Sequence, residues 1–576
     1  MKRKLISACY RYLGIIMLLL SSSMAFAGVR LPAIFGDNMV LQRNIRVPVW
    51  GWAEIGEKVE IEFMGKTYKT TTGADGKWTI KLGTYKAGGP YEMSIATKAF
   101  TLTFKNILIG DVWVAAGQSN MEFGIQTEQH GAEAIAKATD KEIHFFYVPM
   151  AEALLPQQDI AKVPSDSFNG KWVVCSPELM ANPKWAWHGF SAIGYYFAQH
   201  IRQSTGVPVG MIGSYKGSTS AQAWMSDDGL SYSPPFTKYI NEHQTLVDHF
   251  EEATATYPQR LAAYQDSLKT WNLEVGNDLA VKLKEWETAT AQAKASGQIP
   301  PVRPRPSRPA PHAPASPDGG FNTPENAYNG MIAPIIRYGI KGIIWYQGES
   351  NGDRLADAVG YKELFPRLML DWRTHWQQDD FPFLFMQLPN FRDPAVSPSE
   401  GIWPWVREAQ LKTLAVPLTG MPVITDVGDA ANIHPTNKVD PAYRLALVAR
   451  HVAYGENIVY SGPVYKSMSV QGNKIIISFD EINKGLVAGK PSADGTVGAD
   501  KELKGFGIAA GDGKFVWAKA VIEGNTVVVS SDQVLAPVAV RYNWADNPPG
   551  NLYNKDGLPA GPFRTDNWPP PLQVVH

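Results

Sequence analysis

The stretch ILIGDVWVAAGQSNM, residues 107–121, decides the fold of this chain. Its first part is mostly apolar and rich in β-branched side chains, which is typical of a buried strand. The strand pattern stops at Gly117, and Gln118, Ser119 and Asn120 follow. In open α/β sheets, ligands bind at the carboxyl ends of the strands. Ser119 is therefore a candidate nucleophile on a strand-to-helix turn, although Ser and Asn are also favoured at an ordinary helix N-cap.

The amino terminus carries the pattern of a secretory signal peptide. Residues 1–27 combine a basic start, a short apolar run and an Ala-x-Ala pattern ending at Ala27. The apolar run is too short for a membrane span, so no membrane-spanning segment is expected. We therefore expect a periplasmic or extracellular protein.

Composition excludes several classes of function. The formal net charge is −1 and no basic block is present, so no nucleic-acid partner is expected. Without the leader, Cys175 is the remaining cysteine, which excludes an intramolecular disulfide and a cysteine-rich metal site.

The 576 residues are too many for one hydrophobic core, and the pattern of elements changes along the chain. Residues 28–105 show short alternating strands and glycine turns, which predict a β-sandwich. Residues 106–455 alternate short apolar strands with helical stretches, as in a doubly wound α/β fold. Residues 456–576 return to strands and predict a second β-sandwich followed by an ordered tail.

An insertion interrupts the α/β region at residues 236–320. Its first part is polar and helical in pattern, and a break between helices is predicted near Pro258. The stretch 299–317 then holds eight prolines and three arginines, which predicts an extended, unpacked and mobile arm. A lid, a partner contact and a simple solvated excursion are all compatible with this pattern.

Three further polar loops follow strands of the α/β region, and they carry Gly217, Gln347 and His434. Each loop alone is also compatible with an ordinary turn. Four such loops at the carboxyl ends of strands in one layer, including that of Ser119, favour a single active site.

Ester hydrolysis gives each of these residues a role. Ser119 needs a base within hydrogen-bond reach, because a hydroxyl is a poor nucleophile at neutral pH. His434 is suited to be that base by its ordinary pKa, although a lone histidine is more often structural. The backbone N–H groups of Ser119 and Gly217 and the side-chain amide of Gln347 are candidate donors to the oxyanion.

Four blocks of the sequence resemble the sialate O-acetylesterase family of the SGNH (GDSL-type) hydrolases. They are GQSNM (117–121), GSTSAQAW (217–224), WYQGESN (345–351) and IHP (433–435). The blocks are specific together and weak singly. The resemblance implies a flavodoxin-like α/β/α SGNH hydrolase domain, a Ser–His mechanism without metal or other cofactor, and removal of O-acetyl groups from sialic acid.

Two positions depart from the family pattern. Ser218 stands where a second glycine is common, and the backbone donor is retained only if the turn does not require a positive φ. Hydrolases of the SGNH superfamily often carry an aspartate three residues before the histidine, where this chain has Ala431. Asp429 and Asp426 are the nearest carboxylates, and Asp429 is the predicted acid of the triad. The alternative is a Ser–His dyad in which a backbone carbonyl orients His434.

The sugar is not fixed by these residues, because the catalytic set acts on the acetyl group. An esterase for acetylated xylan or pectin is therefore an alternative to a sialate esterase, and in both cases the partner is an O-acetylated sugar. A non-catalytic carbohydrate-binding protein that uses surface tryptophans is the third hypothesis.

Overall fold

The computed structural model describes residues 28–164, 167–182, 185, 188–296, 301–398, 401–490, 500 and 502–571. The predicted signal peptide, residues 1–27, lies outside the described residues. Within the described ranges, no helix combines the length and the apolar character needed to cross a bilayer.

The N-terminal strands form two groups. β2 pairs with β5, whereas β3, β4 and β6 form antiparallel pairs that continue into β7. Buried and exposed side chains alternate along β3 and β5, as expected for strands with one face on a core. The strands are β1 (Val40–Gln42), β2 (Arg46–Trp52), β3 (Lys58–Phe63), β4 (Lys66–Thr71), β5 (Lys77–Thr84), β6 (Gly88–Ala96) and β7 (Thr101–Gly117).

β7 is shared between these strands and the central sheet. Its first half, from Thr101 to Ile109, pairs with β6. Its second half, from Asp111 to Gly117, pairs with a parallel strand of the central sheet. The predicted domain boundary between residues 105 and 106 therefore falls inside one continuous strand.

The central sheet has the order β13-β12-β11-β7-β10-β8-β9, and its pairs are parallel except at β9. Five of these strands, β10-β7-β11-β12-β13, have the chain order 2-1-3-4-5 of flavodoxin-like sheets. The α/β class predicted for this region is confirmed. The strands are β8 (Ile143–Tyr147), β9 (Trp172–Val174), β10 (Val209–Tyr215), β11 (Gly342–Tyr346), β12 (Phe383–Phe385) and β13 (Thr419–Gly420).

Helices cover both faces of this sheet. Trp113 and Ala115 of β7 pack on one face with α4 and α10, and Val112 and Val114 pack on the other with α8 and α9. The strand is apolar on both sides because both faces are buried. The helices are α1 (Ser119–Glu122), α2 (Gly131–Ala136), α3 (Pro177–Met180), α4 (Ala192–Thr205), α5 (Asp227–Leu230), α6 (Thr237–Trp271), α7 (Asn277–Ala295), α8 (Leu355–Trp376), α9 (Trp403–Thr413) and α10 (Val439–Tyr454).

The insertion forms a long helical arm, residues 237–295, made of α6, a π-helical turn (Asn272–Gly276) and α7. The predicted break near Pro258 is wrong, because α6 continues through it. The residues around Pro258 are mostly exposed, so water can hydrogen-bond to the carbonyl of Thr254, which lacks the N–H donor that proline cannot supply. The helix changes its winding at the π-helical turn instead.

The proline-rich stretch returns along this arm. It contains no helix or strand over residues 301–316, as predicted. The indole of Trp271 donates to the carbonyl of Arg308 at 3.1 Å, and that of Trp286 donates to the carbonyl of Pro301 at 2.7 Å. The prediction of an unpacked stretch is therefore wrong, since two tryptophans of the arm hold it.

The C-terminal region contains two four-stranded antiparallel sheets, β14-β15-β20-β19 and β18-β17-β21-β23, and the pair β16-β22. Ile475 and Val527 of the first sheet share one core with Ile508 and Val540 of the second. The strands are β14 (Val464–Gln471), β15 (Lys474–Asp480), β16 (Leu486–Ala488), β17 (Phe506–Ala509), β18 (Phe515–Trp517), β19 (Lys519–Glu523), β20 (Thr526–Ser530), β21 (Ala539–Tyr542), β22 (Leu552–Asn554) and β23 (Phe563–Arg564).

Candidate active site

The carboxyl ends of three neighbouring strands lie side by side at one edge of the central sheet. In the register of the sheet, Gly117 of β7 lies opposite Tyr215 of β10 and Tyr346 of β11. The residues that follow these strands therefore converge. They include three predicted site residues, Ser119, Gly217 and Gln347.

The turn that carries Ser119 is fixed by backbone contacts. Gly117 has φ +135°, and a Cβ there would lie 2.2 Å from the carbonyl oxygen of Tyr346, so the position requires glycine. The N–H of Gln118 donates to the same carbonyl at 2.9 Å, and its side-chain Oε1 accepts from the N–H of Ser350 at 3.2 Å. Ser119 then begins α1 with a half-buried side chain.

The histidine loop meets this turn through Asn120. The amide Nδ2 of Asn120 donates to the carbonyl oxygen of Ile433 at 3.0 Å. Asn120 follows Ser119 and Ile433 precedes His434, so this bond joins the turn of the candidate nucleophile to the loop of the candidate base across more than three hundred residues of chain. His434 is half-buried, and burial together with the nearby Lys438 cation lowers its pKa. A neutral imidazole able to accept a proton is thus favoured near neutral pH.

Gly217 lies beside Ser119. A Cβ at Gly217 would stand 3.4 Å from the Cβ of Ser119. The N–H of Gly217 donates to Oε2 of Glu122, three residues after Ser119, at 2.5 Å. Burial raises the pKa of this carboxyl, against the hydrogen bond from Gly217 and the charge of Lys216. The predicted oxyanion role of Gly217 therefore requires that the Gly217 N–H no longer donate to Glu122.

The turn after Gly217 does require a positive φ. Ser218 has φ +61°, in the left-handed region that favours glycine. The backbone donor is expected to be retained only if the turn needs no positive φ, and that condition is not met. Ser218 itself adopts the left-handed conformation. Gly217 nevertheless lies beside Ser119, and its N–H donates to Glu122.

The side chain of Gln347 is fully buried and engaged within the protein. Its Nε2 donates to the carbonyl of Thr219 at 3.2 Å and to Oδ1 of Asn351 at 2.7 Å, and its Oε1 accepts from the hydroxyl of Tyr361 at 2.9 Å. Gln347 therefore joins the second and third loops. An oxyanion role requires that one of its amide N–H groups be released.

Asp429 is exposed and shapes the histidine loop. Its Oδ1 accepts from the N–H of Ala431 at 2.8 Å and from the N–H of Asn432 at 3.2 Å. Over the described residues, burial and Lys438 account for the pKa shift of His434, and no carboxylate is among its causes. The observed contacts of Asp429 are those of a loop cap, and its predicted role as the acid stays a prediction.

Asp426, the other nearby carboxylate, is held in an ion pair. Its Oδ1 lies 2.6 Å from Nη1 of Arg444, and its Oδ2 accepts from the hydroxyl of Tyr553 at 2.9 Å. Because Tyr553 belongs to β22, this contact also ties the C-terminal region to the histidine loop.

The described part of the chain offers no group of three or more His, Cys, Asp or Glu side chains arranged to hold a metal ion. Cys175 is buried outside any disulfide, and burial raises the pKa of its thiol to about 12. A thiol in that state is a weak nucleophile and a weak ligand.

Comparisons with known proteins relate the chain to carbohydrate esterases. Residues 319–439 match the family described as carbohydrate esterase, sialic acid-specific acetylesterase. The crystal structure of a carbohydrate acetylesterase from Xanthomonas citri is 34% identical, with a TM-score of 0.71, over 94% of this chain and 100% of its own. The chain belongs to the sialate O-acetylesterase family. It is 24% identical to the sialate O-acetylesterase of Rattus norvegicus over 96% of this chain and 98% of that protein. The human sialate O-acetylesterase is 25% identical over 93% of this chain and 92% of its own length.

Members of the sialate O-acetylesterase family are carboxylic ester hydrolases, and this chain is one of them. The range matched by the family description contains Gln347, Asp429 and His434, whereas Ser119 and Gly217 precede it.

Sequence reasoning assigned no role to two buried charged groups near these residues. Glu122 is three residues from Ser119 on α1, and this spacing alone places it near the nucleophile. Lys438 is four residues after His434 and directly precedes α10. Its burial depends on contacts with Asn120, which no local pattern indicates.

Proposed function

We propose that the protein is a secreted serine esterase that removes O-acetyl groups from sialic acid. The observation that supports the proposal is the bond from Asn120 to the carbonyl of Ile433, which joins the turn of Ser119 to the loop of His434. The family of its relatives supports the choice of acetyl ester and of sugar.

In the proposed reaction, Nε2 or Nδ1 of neutral His434 takes the proton of the Ser119 hydroxyl while Oγ bonds to the acetyl carbon. The bond from that carbon to the sugar oxygen then breaks, and the imidazolium returns its proton to the sugar hydroxyl. Water hydrolyses the acetyl-serine by the same proton path and acetate leaves. Water is the one co-reactant of the cycle.

The oxyanion is stabilised by N–H donors already near Ser119. The backbone N–H groups of Ser119 and Gly217 are proposed as donors, the second once Glu122 releases it, with Gln347 as a third. The contacts of Asp429 with the N–H groups of Ala431 and Asn432 support a role in shaping the histidine loop, and in this form of the proposal a Ser–His dyad carries the reaction. Direct acceptance of an imidazole proton by Oδ2 of Asp429 is the triad alternative.

The wider organisation belongs to the same proposal. The strand order 2-1-3-4-5 supports an SGNH hydrolase domain, and the sheets before and after it support flanking β-sandwich domains. Export to the periplasm or the exterior rests on the leader pattern of residues 1–27.

Hydrolysis of a chromogenic acetate ester tests the proposal. Ser119→Ala and His434→Ala should each lower kcat by several orders of magnitude, because a nucleophile and its base act as one unit. Ser231→Ala, an exposed serine at the end of α5, is the matched control and should keep full activity. Full activity of Ser119→Ala would remove the nucleophile assignment. A wild-type protein that binds O-acetylated sugars without hydrolysing them would favour a carbohydrate-binding function.

A plant-polysaccharide acetylesterase is the second candidate. It is favoured by the likeness to a carbohydrate acetylesterase whose name specifies no sialic acid. Rates on O-acetylated sialic acid and on acetylated xylan or pectin should be compared at equal ester concentration. A higher kcat/KM on the plant polymers would replace sialic acid as the substrate.

A further inference from the structure

A buried lysine contacts the asparagine that joins the nucleophile turn to the histidine loop. Lys438 immediately precedes α10 and its side chain is fully buried. Its Nζ donates to Oδ1 of Asn120 at 2.6 Å. Removing an ammonium group from water costs much free energy unless polar groups compensate it. The hydrogen bond to Asn120 provides part of that compensation.

Asn120 passes this contact to two other loops. Its Nδ2 donates to the carbonyl of Ile433 at 3.0 Å and to Oε1 of Glu349 at 2.6 Å. The single amide of Asn120 thus joins the nucleophile turn, the histidine loop and the loop after β11. Lys438 holds the remaining polar atom of that amide, which fixes its orientation.

The charges around Lys438 come from three elements. Glu349 follows β11 and Glu128 precedes α2, and both carboxyls act on the ammonium group. Oε1 of Glu128 also accepts from the backbone N–H of Lys438 at 3.3 Å. The rings of Phe123 and Tyr346 face the ammonium at 4.6 and 5.6 Å. These groups therefore offset part of the cost of burying the Lys438 ammonium.

We propose that Lys438 is a positioning residue of the esterase, which locks the Ser119 turn to the His434 loop through Asn120 and places a positive charge behind the imidazole. The inference rests on the proposed Ser–His mechanism. Lys438 touches neither substrate nor the reacting atoms, and it acts through Asn120 and through its charge.

The sign of the electrostatic effect follows from the charges. Lys438 is a cause, after burial, of the lowered pKa of His434. Burial lowers the pKa of Lys438 itself to about 7, and the two carboxyls oppose this shift. In the pH range where His434 gains its proton, Lys438 is therefore mostly charged and repels it. Loss of the charge should raise the pKa of His434, and the protonated imidazole cannot act as a base.

The test replaces Lys438 by Met and follows the pH dependence of kcat/KM on a chromogenic acetate ester. The acid limb should move to higher pH by about one unit, the shift typical of a nearby charge. Lys341→Met is the matched control. Lys341 is a partly buried lysine whose pKa, like that of Lys438, is lowered by burial. It precedes β11 and therefore lies at the opposite end of the sheet. Its limb should match that of wild type.

An NMR titration of the histidine side chains provides a readout that needs no activity. The His434 signal is assigned by its loss in His434→Gln, and its pKa should rise in Lys438→Met. An unchanged His434 pKa and an unchanged limb in a folded Lys438→Met protein would overturn the inference. A uniform loss of activity at every pH, without a shift, would leave Lys438 a purely structural role and would overturn it equally.

Lys438→Gln covers the case in which the Met variant does not fold, since its amide can still donate to Asn120 without the charge. The same upward shift is expected, and its absence would refute the inference. If the wild-type protein hydrolyses no acetate ester, the proposed function fails, whereas the NMR titration still decides the electrostatic effect of Lys438 on His434.

Discussion

Gly117→Ala should damage the nucleophile turn far more than a typical glycine substitution. A methyl group there would lie 2.2 Å from the carbonyl oxygen of Tyr346, and φ is +135°. Backbone strain of this kind costs about 1–3 kcal/mol, and overpacking against a fixed group costs about the same again. The free energy of unfolding should therefore fall by about 2–6 kcal/mol. The turn must also move away from β11, and a misplacement of about 1 Å can lower kcat roughly 10²-fold.

Gly206→Ala supplies the matched control for this prediction. Gly206 ends α4 with φ +66°, and no atom lies within 4 Å of the position its Cβ would take. Its substitution should cost about 1 kcal/mol and leave turnover intact. Urea unfolding and hydrolysis of a chromogenic acetate ester measure both effects. If Gly117→Ala loses no more stability than Gly206→Ala and keeps its kcat, the close approach of β7 and β11 does not hold the nucleophile.

Three other outcomes are expected. Ser218→Gly should raise the free energy of unfolding by about 0.5–1 kcal/mol, because it relieves a φ of +61°; urea unfolding checks this, and a loss of stability would contradict it. Asp429→Asn should keep most of kcat on the acetate ester, because an asparagine oxygen can still accept from Ala431 and Asn432; a fall of roughly 10⁴ would instead establish a triad. The acid limb of kcat/KM should have its midpoint below 6.5, the ordinary pKa of histidine, since burial and Lys438 both disfavour the imidazolium of His434; a midpoint above that value would refute a buried base.

Local sequence patterns predicted several strands correctly. The strand at 474–479 and the strand at 526–530 match β15 and β20, because alternating or continuous apolar residues indicate strands directly. The strand at 107–116 is correct but lies inside a longer one, β7, which begins at Thr101 and pairs with β6 over its first half.

The features that the sequence did not predict depend on the folded surroundings and on contacts between residues far apart in the chain. Pro258 predicts a break because proline lacks an N–H, but the exposure of α6 makes that loss tolerable. The engagement of Gly217 by Glu122 joins residues 95 positions apart, and that of Asn120 by Lys438 joins residues 318 apart. Such pairs are set by the folded sheet edge, and no periodicity in the chain encodes them.

The shared strand β7 has a consequence for how this protein can be cut and recombined. Half of the strand that ends at the nucleophile has its hydrogen-bonding neighbours in β1 and β6. A truncation at residue 105 would strip those neighbours and leave an apolar edge open to aggregation. Residues 28–105 are thus not a detachable accessory, and fusion or shuffling of the central sheet has to carry them along.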